Sequence, residues 1–235
     1  MIELIPNTLI DEKIFLDESL YKNNFERQVA SSYAGIERAK KYRKEFTLKL
    51  RTDQMIRHPA TLILFTNLLE SQRAEIPYKK KIIASSFNSW LYRPFGVSDM
   101  LTAGYYEDVS AYWEFNKEIT DFHLSINNPP SWFRSSQFFY ETFLAVRFLL
   151  VNKFVFTENV FFDTAKMYKD HVIIVDSATI GHSWFKRGNV WNGNSIIKSG
   201  YNLPNASLIE ISHSDWLCLR SGNYAIAPNN RAAMH

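Results

Sequence analysis

Strand-like runs alternate with segments of helical periodicity along this chain, and this alternation limits the possible folds more than any other feature. The strand-like runs are 45–56, 79–87 and 170–177, and the helical segments include 20–42, 58–73 and 136–153. In chains of this kind each strand leads into a helix that packs back on the sheet. The sequence therefore predicts an α/β fold with a largely parallel sheet covered by helices on both faces.

The chain of 235 residues shows no linker, internal repeat or low-complexity segment, so we expect one domain over 1–235. Its single cysteine, Cys218, excludes an intrachain disulfide and is typical of a reducing compartment. No signal peptide is recognisable, and the most apolar stretch, 138–151, contains two charged residues and is too short to span a bilayer. We expect a cytoplasmic protein, with peripheral contact to the inner membrane left open.

Positive charge is concentrated in one stretch of the sequence. From Lys22 to Arg57 there are ten Lys or Arg residues and four Asp or Glu residues, although the formal net charge of the whole chain is only +3. Such a stretch can contact phosphates or an anionic membrane surface, or it can be a solvated helix face. Because the excess of positive charge is small and confined to this stretch, no nucleic-acid partner is expected.

The common catalytic motifs do not occur in this sequence. There is no GxxxxGK[ST] or GxGxxG loop for phosphates, and no HExxH, CxxC or GxSxG. The six histidines are scattered without a close ligand pair, which argues against a zinc hydrolase.

The stretch FTLKLRTD, residues 46–53, is the strongest candidate for a binding site. A strand-like run is followed there by Arg51 and Asp53, and ligands of open α/β sheets collect beyond the carboxyl ends of strands. A carboxylate at that place suits Mg²⁺ or Mn²⁺ on a nucleotide diphosphate, and Lys49 and Arg51 would add positive charge. The alternative is a simple ion pair between Arg51 and Asp53.

Three patches support the first interpretation by their order: NNFERQVASSYAGIERA at 23–39, KLRTD at 49–53 and PFGVSDMLTAGYYEDVSAYW at 94–113. In this order they resemble the WavE-type lipopolysaccharide synthesis family, a group of bacterial glycosyltransferases. A fourth patch, FFYETFLAVRFL at 138–149, is similar to a family helix that carries a Glu at its start, here Glu141. The resemblance covers about residues 20 to 180.

The resemblance implies a fold of the GT-A type, a Rossmann-like mixed sheet flanked by helices. It also implies transfer of a sugar from a nucleotide-sugar donor to a saccharide or lipid-linked saccharide acceptor in lipopolysaccharide or capsule, with Mn²⁺ or Mg²⁺ as cofactor. Only 22 residues precede the Asn-Asn pair, so the first nucleotide-binding strand–helix unit is expected to be incomplete. A catalytically inactive sugar- or nucleotide-binding remnant of the same fold is the alternative.

The matched positions also imply the site residues. The nucleotide-sugar-binding candidates are Arg27, Gln28, Ser31, Lys49, Arg51 and Asp53. Asp53 is the candidate metal ligand, together with His213, because some enzymes of the GT-A type use a late histidine. Arg27 and His213 have structural alternatives: Arg27 can form an ion pair on the helix surface, and His213 can have a purely structural role.

Three carboxylates are candidates for the general base that takes the proton of the acceptor hydroxyl. Asp99 follows FGVS and is expected at a strand end; it is favoured because that position is rigid, although a turn Asp is the alternative. Asp108 precedes a helix and can be a capping residue instead. Glu141 lies among aromatic residues, which would raise its pKa, unless it faces solvent.

Overall fold

A computed structural model describes residues 24–42, 45–73, 80–91, 93–114, 140–157, 159–184 and 210–222. In chain order, the elements of these residues are α1 (Asn24–Lys41), β1 (Phe46–Lys49), β2 (Gln54–Ile56), α2 (Thr61–Arg73), β3 (Ile82–Ser85), β4 (Thr102–Tyr105), α3 (Tyr106–Trp113), α4 (Tyr140–Val151), α5 (Val160–Asp170), β5 (Val172–Val175), α6 (Ser177–Ile180), β6 (His182–Trp184) and α7 (His213–Arg220).

Four strands form a mixed sheet in the order β1-β4-β3-β5. β4 is antiparallel to both β1 and β3, whereas β5 is parallel to β3. The strands β1, β3 and β5 therefore run in one direction, and their carboxyl ends lie at the same side of the sheet as the start of β4. We call this side the carboxyl edge; the strand ends and loop residues 49–53, 85–87, 99–102 and 175–177 lie at it, together with the side chains that pack against them.

The predicted α/β class and the mixed sheet that the resemblance implies are confirmed, whereas the largely parallel sheet expected from the alternation of strands and helices is wrong. β3 and β4 are joined by residues 86–101, which contain no helix among their described residues. Without a crossover helix, two neighbouring strands pair antiparallel. The more specific GT-A type of fold remains a prediction.

The predicted strand over 45–56 is in fact two strands in two different sheets. β1 belongs to the four-stranded sheet, and β2 pairs antiparallel with β6, with Gln54 opposite Trp184. A turn at 51–53 separates them, where the Gln54 N–H donates to the Arg51 carbonyl at 3.1 Å. Outside these strands, Glu210 forms an isolated antiparallel bridge with Trp90.

The hydrophobic core extends to the carboxyl edge along the helix α3. It packs against β4, β1, α1 and α4. Gly104 of β4 permits this close approach, because a Cβ there would lie 3.2 Å from Val109 Cγ2 and 3.2 Å from the Lys81 carbonyl. The last two residues of α3, Tyr112 and Trp113, are fully buried as a result. Within the described parts of the chain, no helix is long and apolar enough to cross a membrane.

Candidate functional site at the carboxyl edge

Lys49 is a buried cation at the end of β1. The polar side chains Thr47 and Lys49 are the buried ones of this strand, while Phe46 and Leu48 are only partly buried. Lys49 Nζ donates to the backbone carbonyl of Asp99 and lies 4.2 Å from the centroid of the Trp113 ring. Burial lowers the pKa of Lys49 to about 8, with the charge of Asp99 acting in the opposite direction.

Asp99 is held from two sides. Its backbone carbonyl accepts from Lys49, and its carboxylate Oδ2 accepts from Gln28 Nε2 of α1 at 2.5 Å. The expectation that Asp99 ends a strand is wrong, because it lies in the loop that precedes β4. Gln28 thus orients this carboxylate, and its role in binding the nucleotide sugar stays a prediction.

Arg51 and Asp53 form a bidentate pair in the turn between β1 and β2. Arg51 Nε lies 3.1 Å from Asp53 Oδ1, and Nη2 lies 3.3 Å from Oδ2. Trp184 Nε1 of β6 donates to the same Oδ2 at 2.7 Å. Burial opposes the charge of Asp53, but the hydrogen bonds from Arg51 and Trp184 outweigh it and lower the pKa of Asp53. The hydrogen bond to Asp53 raises the pKa of Arg51.

Glu141 lies in the first turn of α4 and is partly buried. Burial raises its pKa, and the negative charge of Asp99 adds to the shift. Glu141 therefore takes up a proton more readily than an exposed glutamate does.

We call Gln28, Lys49, Arg51, Asp53, Asp99 and Glu141 the charged half of the edge. Ser31 and Arg27 lie on α1 beside Gln28: the Ser31 hydroxyl donates to the Gln28 carbonyl at 3.0 Å, and Arg27 is partly buried. The Ser31 hydroxyl is thus engaged within its own helix.

Asp108 is placed away from the other two candidate bases. Its Oδ2 accepts from the backbone N–H of Lys81 at 3.4 Å. Lys81 precedes the first residue of β3, so this contact lies at the side of the sheet opposite to the carboxyl edge. The structure therefore assigns Asp108 to the join between α3 and β3, and does not bring it together with Asp99 and Glu141.

His213 is anchored to the end of β5. Its Nδ1 lies 2.5 Å from the Ile174 carbonyl oxygen, and its backbone N–H donates to Asp176 Oδ1 at 2.8 Å. Within the described ranges, no three His, Cys, Asp or Glu side chains group closely enough to hold a metal ion. Asp53 is engaged by Arg51 and Trp184, and the expected Mn²⁺ or Mg²⁺ site at Asp53 and His213 stays a prediction.

A second cluster, which the sequence did not indicate, lies beside the charged half. Ser177 Oγ is 2.8 Å from Ser85 Oγ and 3.2 Å from Ser86 Oγ, and it accepts from the backbone N–H of Phe87 at 3.0 Å. The Ser177 N–H donates to Ser86 Oγ at 3.0 Å. These contacts join the carboxyl ends of the parallel strands β3 and β5.

His182 of β6 completes this cluster, and we call Ser85, Ser86, Ser177 and His182 the serine half. His182 Nδ1 lies 3.1 Å from Ser85 Oγ, and the side chain is only 3% exposed. Burial lowers the pKa of His182 to about 4. The Phe87 ring contacts His182 at 5.7 Å and Trp184 at 5.9 Å between centroids, so it connects the two halves.

Glu210 is a further ionisable group near this edge that the sequence did not single out. It accepts from the backbone N–H of Asn88 at 2.9 Å, and Asn88 adopts the left-handed φ of 65°. Burial raises the pKa of Glu210 to about 7, and the Asn88 N–H partly opposes this shift.

The signal that could have indicated the serine half was the Ser-Ser and Asp-Ser pairs that follow two apolar strands.

The chain matches no known family model, and neither a curated protein nor a solved structure matches it. Its function therefore has to be inferred from the geometry of the carboxyl edge.

Proposed function

We propose that this chain is a cytoplasmic glycosyltransferase of the GT-A type that transfers a sugar from a nucleotide-sugar donor to a growing surface saccharide. The observation that carries this proposal is the hydrogen-bonded cluster of Gln28, Lys49 and Asp99 beside the pair of Arg51 and Asp53. These residues come from three separate sequence patches, and Gln28 and Asp99 are 71 residues apart. Their meeting at a carboxyl edge is typical of a ligand site in an α/β sheet.

The two cations of the charged half suit the donor's diphosphate. Lys49 supplies a compact ammonium, and Arg51 supplies a planar fork that fits phosphate as well as it fits the Asp53 carboxylate. As the bond between the anomeric carbon and the diphosphate breaks, negative charge develops on the leaving oxygen. Fixed positive groups at this place stabilise that charge.

The two carboxylates suit the acceptor side of the reaction. The acceptor hydroxyl oxygen forms a bond to the anomeric carbon, and its proton passes to a carboxylate. Glu141 supports this role because its raised pKa makes it a better proton acceptor. Asp99 is the alternative base, since Gln28 holds its carboxylate in one orientation.

The requirement for Mn²⁺ or Mg²⁺ stays a prediction. Since the described donors do not complete a cation site, we assign no step to a metal. Titrations with each cation and with EDTA test the requirement directly.

The donor hypothesis is tested by calorimetric titration with UDP, GDP and CMP, with and without the metal ions. Lys49→Met should weaken binding of the preferred nucleotide by about tenfold to a hundredfold, because a hydrogen bond to a charged group contributes about 1.5–3 kcal/mol. Lys40→Met is the matched control, because Lys40 lies exposed on α1 near Tyr106, away from the carboxyl edge.

Failure of all three nucleotides to bind the wild-type protein at millimolar concentration would reject the proposal. Nucleotide binding without release of nucleotide from any donor–acceptor pair would favour the inactive remnant. Equal losses of nucleotide affinity in Lys49→Met and Lys40→Met would show that Lys49 does not contact the nucleotide.

A further inference from the structure

The face of the Trp113 ring, at the end of α3, lies against the ammonium group of Lys49. Lys49 Nζ is 4.2 Å from the ring centroid, whereas Lys166 lies 5.1 Å from Phe154 and Arg220 lies 5.7 Å from Trp216. Among aromatic side chains tryptophan attracts a cation most strongly, and the attraction increases when the cation is removed from water. Lys49 is only 9% exposed, so this contact is of the stronger kind.

Lys49 has no carboxylate as a direct partner in the described structure. Its hydrogen bond goes to the backbone carbonyl of Asp99, and the carboxylate of Asp99 is bonded by Gln28 instead. Between described residues, the ion pair of the charged half is that of Arg51 with Asp53. Buried lysines are rare unless they are paired. The ring of Trp113 therefore takes the place that a counter-ion usually has.

The indole of Trp113 is not held by its own N–H group. The side chain is 0% exposed, and the buried Nε1 has no hydrogen-bond partner in the part of the chain that the structure describes. A phenylalanine at this position would avoid the cost of an unpaired buried donor. What tryptophan offers over phenylalanine here is a larger ring with a more negative face.

The backbone on both sides of Trp113 is fixed from α4. Arg147 Nη2 donates to the Tyr112 carbonyl at 2.8 Å, and Nη1 donates to the Glu114 carbonyl. Carbonyls at the carboxyl end of a helix have no partner within that helix. Arg147 thus anchors the end of α3, and with it the backbone that carries the ring beside Lys49.

We propose that Trp113 is a positioning residue that keeps Lys49 charged and in place for the diphosphate of the donor. A carboxylate in its place would also stabilise the ammonium group, but it would repel the phosphates. A neutral ring stabilises the cation and leaves its charge available to the ligand. The identity of the ligand rests on the proposed function, whereas the effect of Trp113 on Lys49 can be measured in the free protein.

The pKa of Lys49 distinguishes this role from that of a simple apolar cover. Burial lowers the pKa to about 8; the charges of Asp99 and Asp53 act in the opposite direction, and the charge of Arg51 lowers it further. Removing an apolar cover admits water and raises the pKa of a buried lysine. Weakening a ring face that stabilises the ammonium form lowers it. The two roles therefore predict shifts of opposite sign.

The test follows the ¹⁵Nζ and ¹³Cε signals of Lys49 during a pH titration of lysine-labelled protein, with Lys49→Met to identify the signals. Trp113→Phe should lower the pKa of Lys49 by roughly 0.5–1, the shift expected from weakening one cation–π contact. Biosynthetic incorporation of fluorinated tryptophan weakens the ring face with little change in its shape. It should lower the pKa in the wild-type protein and leave it unchanged in Trp113→Phe.

Trp216→Phe is the matched control. Trp216 is 1% exposed and also lies near a cation, Arg220, but its Nε1 donates to the Tyr168 carbonyl at 2.8 Å. The change should lower the melting temperature, because it removes this hydrogen bond. It should leave the pKa of Lys49 at its wild-type value.

The pH dependence of nucleotide affinity is the second readout. Because the ammonium form holds the diphosphate, affinity should fall as the pH rises through the pKa of Lys49. This fall should begin at lower pH in Trp113→Phe than in the wild type. Trp216→Phe should keep the wild-type profile.

The inference is overturned if Trp113→Phe or fluorination leaves the pKa of Lys49 unchanged or raises it, or if Trp216→Phe lowers it equally. It is also overturned if nucleotide affinity has the same pH profile in Trp113→Phe and the wild type. A lowered pKa in a protein that binds no nucleotide would support the effect of Trp113 on Lys49 and would reject the proposed function.

Discussion

The two halves of the carboxyl edge are adjacent, but they satisfy their polar groups in different ways. In the serine half, Ser85, Ser177 and His182 are between 0% and 3% exposed, and short contacts link their side chains to one another and to the backbone. The buried His182 Nε2 has no hydrogen-bond partner in the part of the chain that the structure describes. In the charged half, the side chains of Arg51 and Asp53 are 32% and 29% exposed. The serine half thus has the character of a structural clamp between β3 and β5, whereas the charged half carries a partly exposed ion pair beside the buried Lys49.

This difference shows why burial and hydrogen bonding must be read together. A closed and fully buried cluster contributes to stability and leaves little for a ligand to gain. Charges at a partly exposed edge contribute less to stability, but their hydrogen bonds can be exchanged for those of a ligand. Three experiments test this contrast.

The largest effect is expected from acid, through His182. The unfolded imidazole takes up a proton near pH 6.5, whereas the folded one stays neutral until about pH 4. The unfolded state therefore binds more protons in this window, and stability should fall by roughly 3 kcal/mol as the pH drops from 6.5 to 4. Denaturant unfolding at a series of pH values measures this, and His182→Gln should flatten the slope.

His58→Gln is the control for that measurement, because His58 is exposed. If the acid slope is the same in the wild type and in His182→Gln, the serine half is not a buried neutral clamp.

A smaller effect is expected from Ser177→Ala. The change removes the hydroxyl that contacts Ser85, Ser86 and the N–H of Phe87, and it should lower the free energy of unfolding by about 2 kcal/mol. Urea unfolding provides the measurement, with Ser71→Ala on the exposed side of α2 as a control near zero. Weakened nucleotide binding in a folded Ser177→Ala protein would show that the serine half is part of the site.

The smallest effect on stability is expected from Arg51→Ala. Because its pair with Asp53 is partly exposed, the free energy of unfolding should fall by less than about 1 kcal/mol, while nucleotide affinity should fall clearly. Urea unfolding and calorimetry on the same preparation measure both. A loss of roughly 3–5 kcal/mol with unchanged binding would instead make Arg51 a buried structural partner.

The sequence allowed prediction of the α/β class and of most of the charged half. Lys49, Arg51 and Asp53 follow one strand-like run, and Asp99 follows another motif, so their residue types and order were visible. The direction of the Lys49 side chain was not visible in the sequence. Alternation along β1 indicates that Thr47 and Lys49 share a side, but only the packing of α3 decides that this side is buried.

The serine half could not be predicted because its contacts connect distant parts of the chain. Ser85 is 92 residues from Ser177 and 97 from His182, and serines after apolar strands are common in loops. The division of 45–56 into two strands has a similar cause, because β2 exists only through its pairing with β6. Local patterns carry no information about such partners.

The pairing of β2 with β6 also has a consequence for the order of folding. Gln54 lies opposite Trp184, so about 130 residues must be synthesised between the two strands before they can meet. Non-local pairings of this kind form late, because closing a long loop costs chain entropy before any contact is gained. On the ribosome, Arg51 and Asp53 emerge early, but Asp53 gains its hydrogen bond from Trp184 only after β6 has left the exit tunnel. The carboxyl edge is therefore completed late in biogenesis.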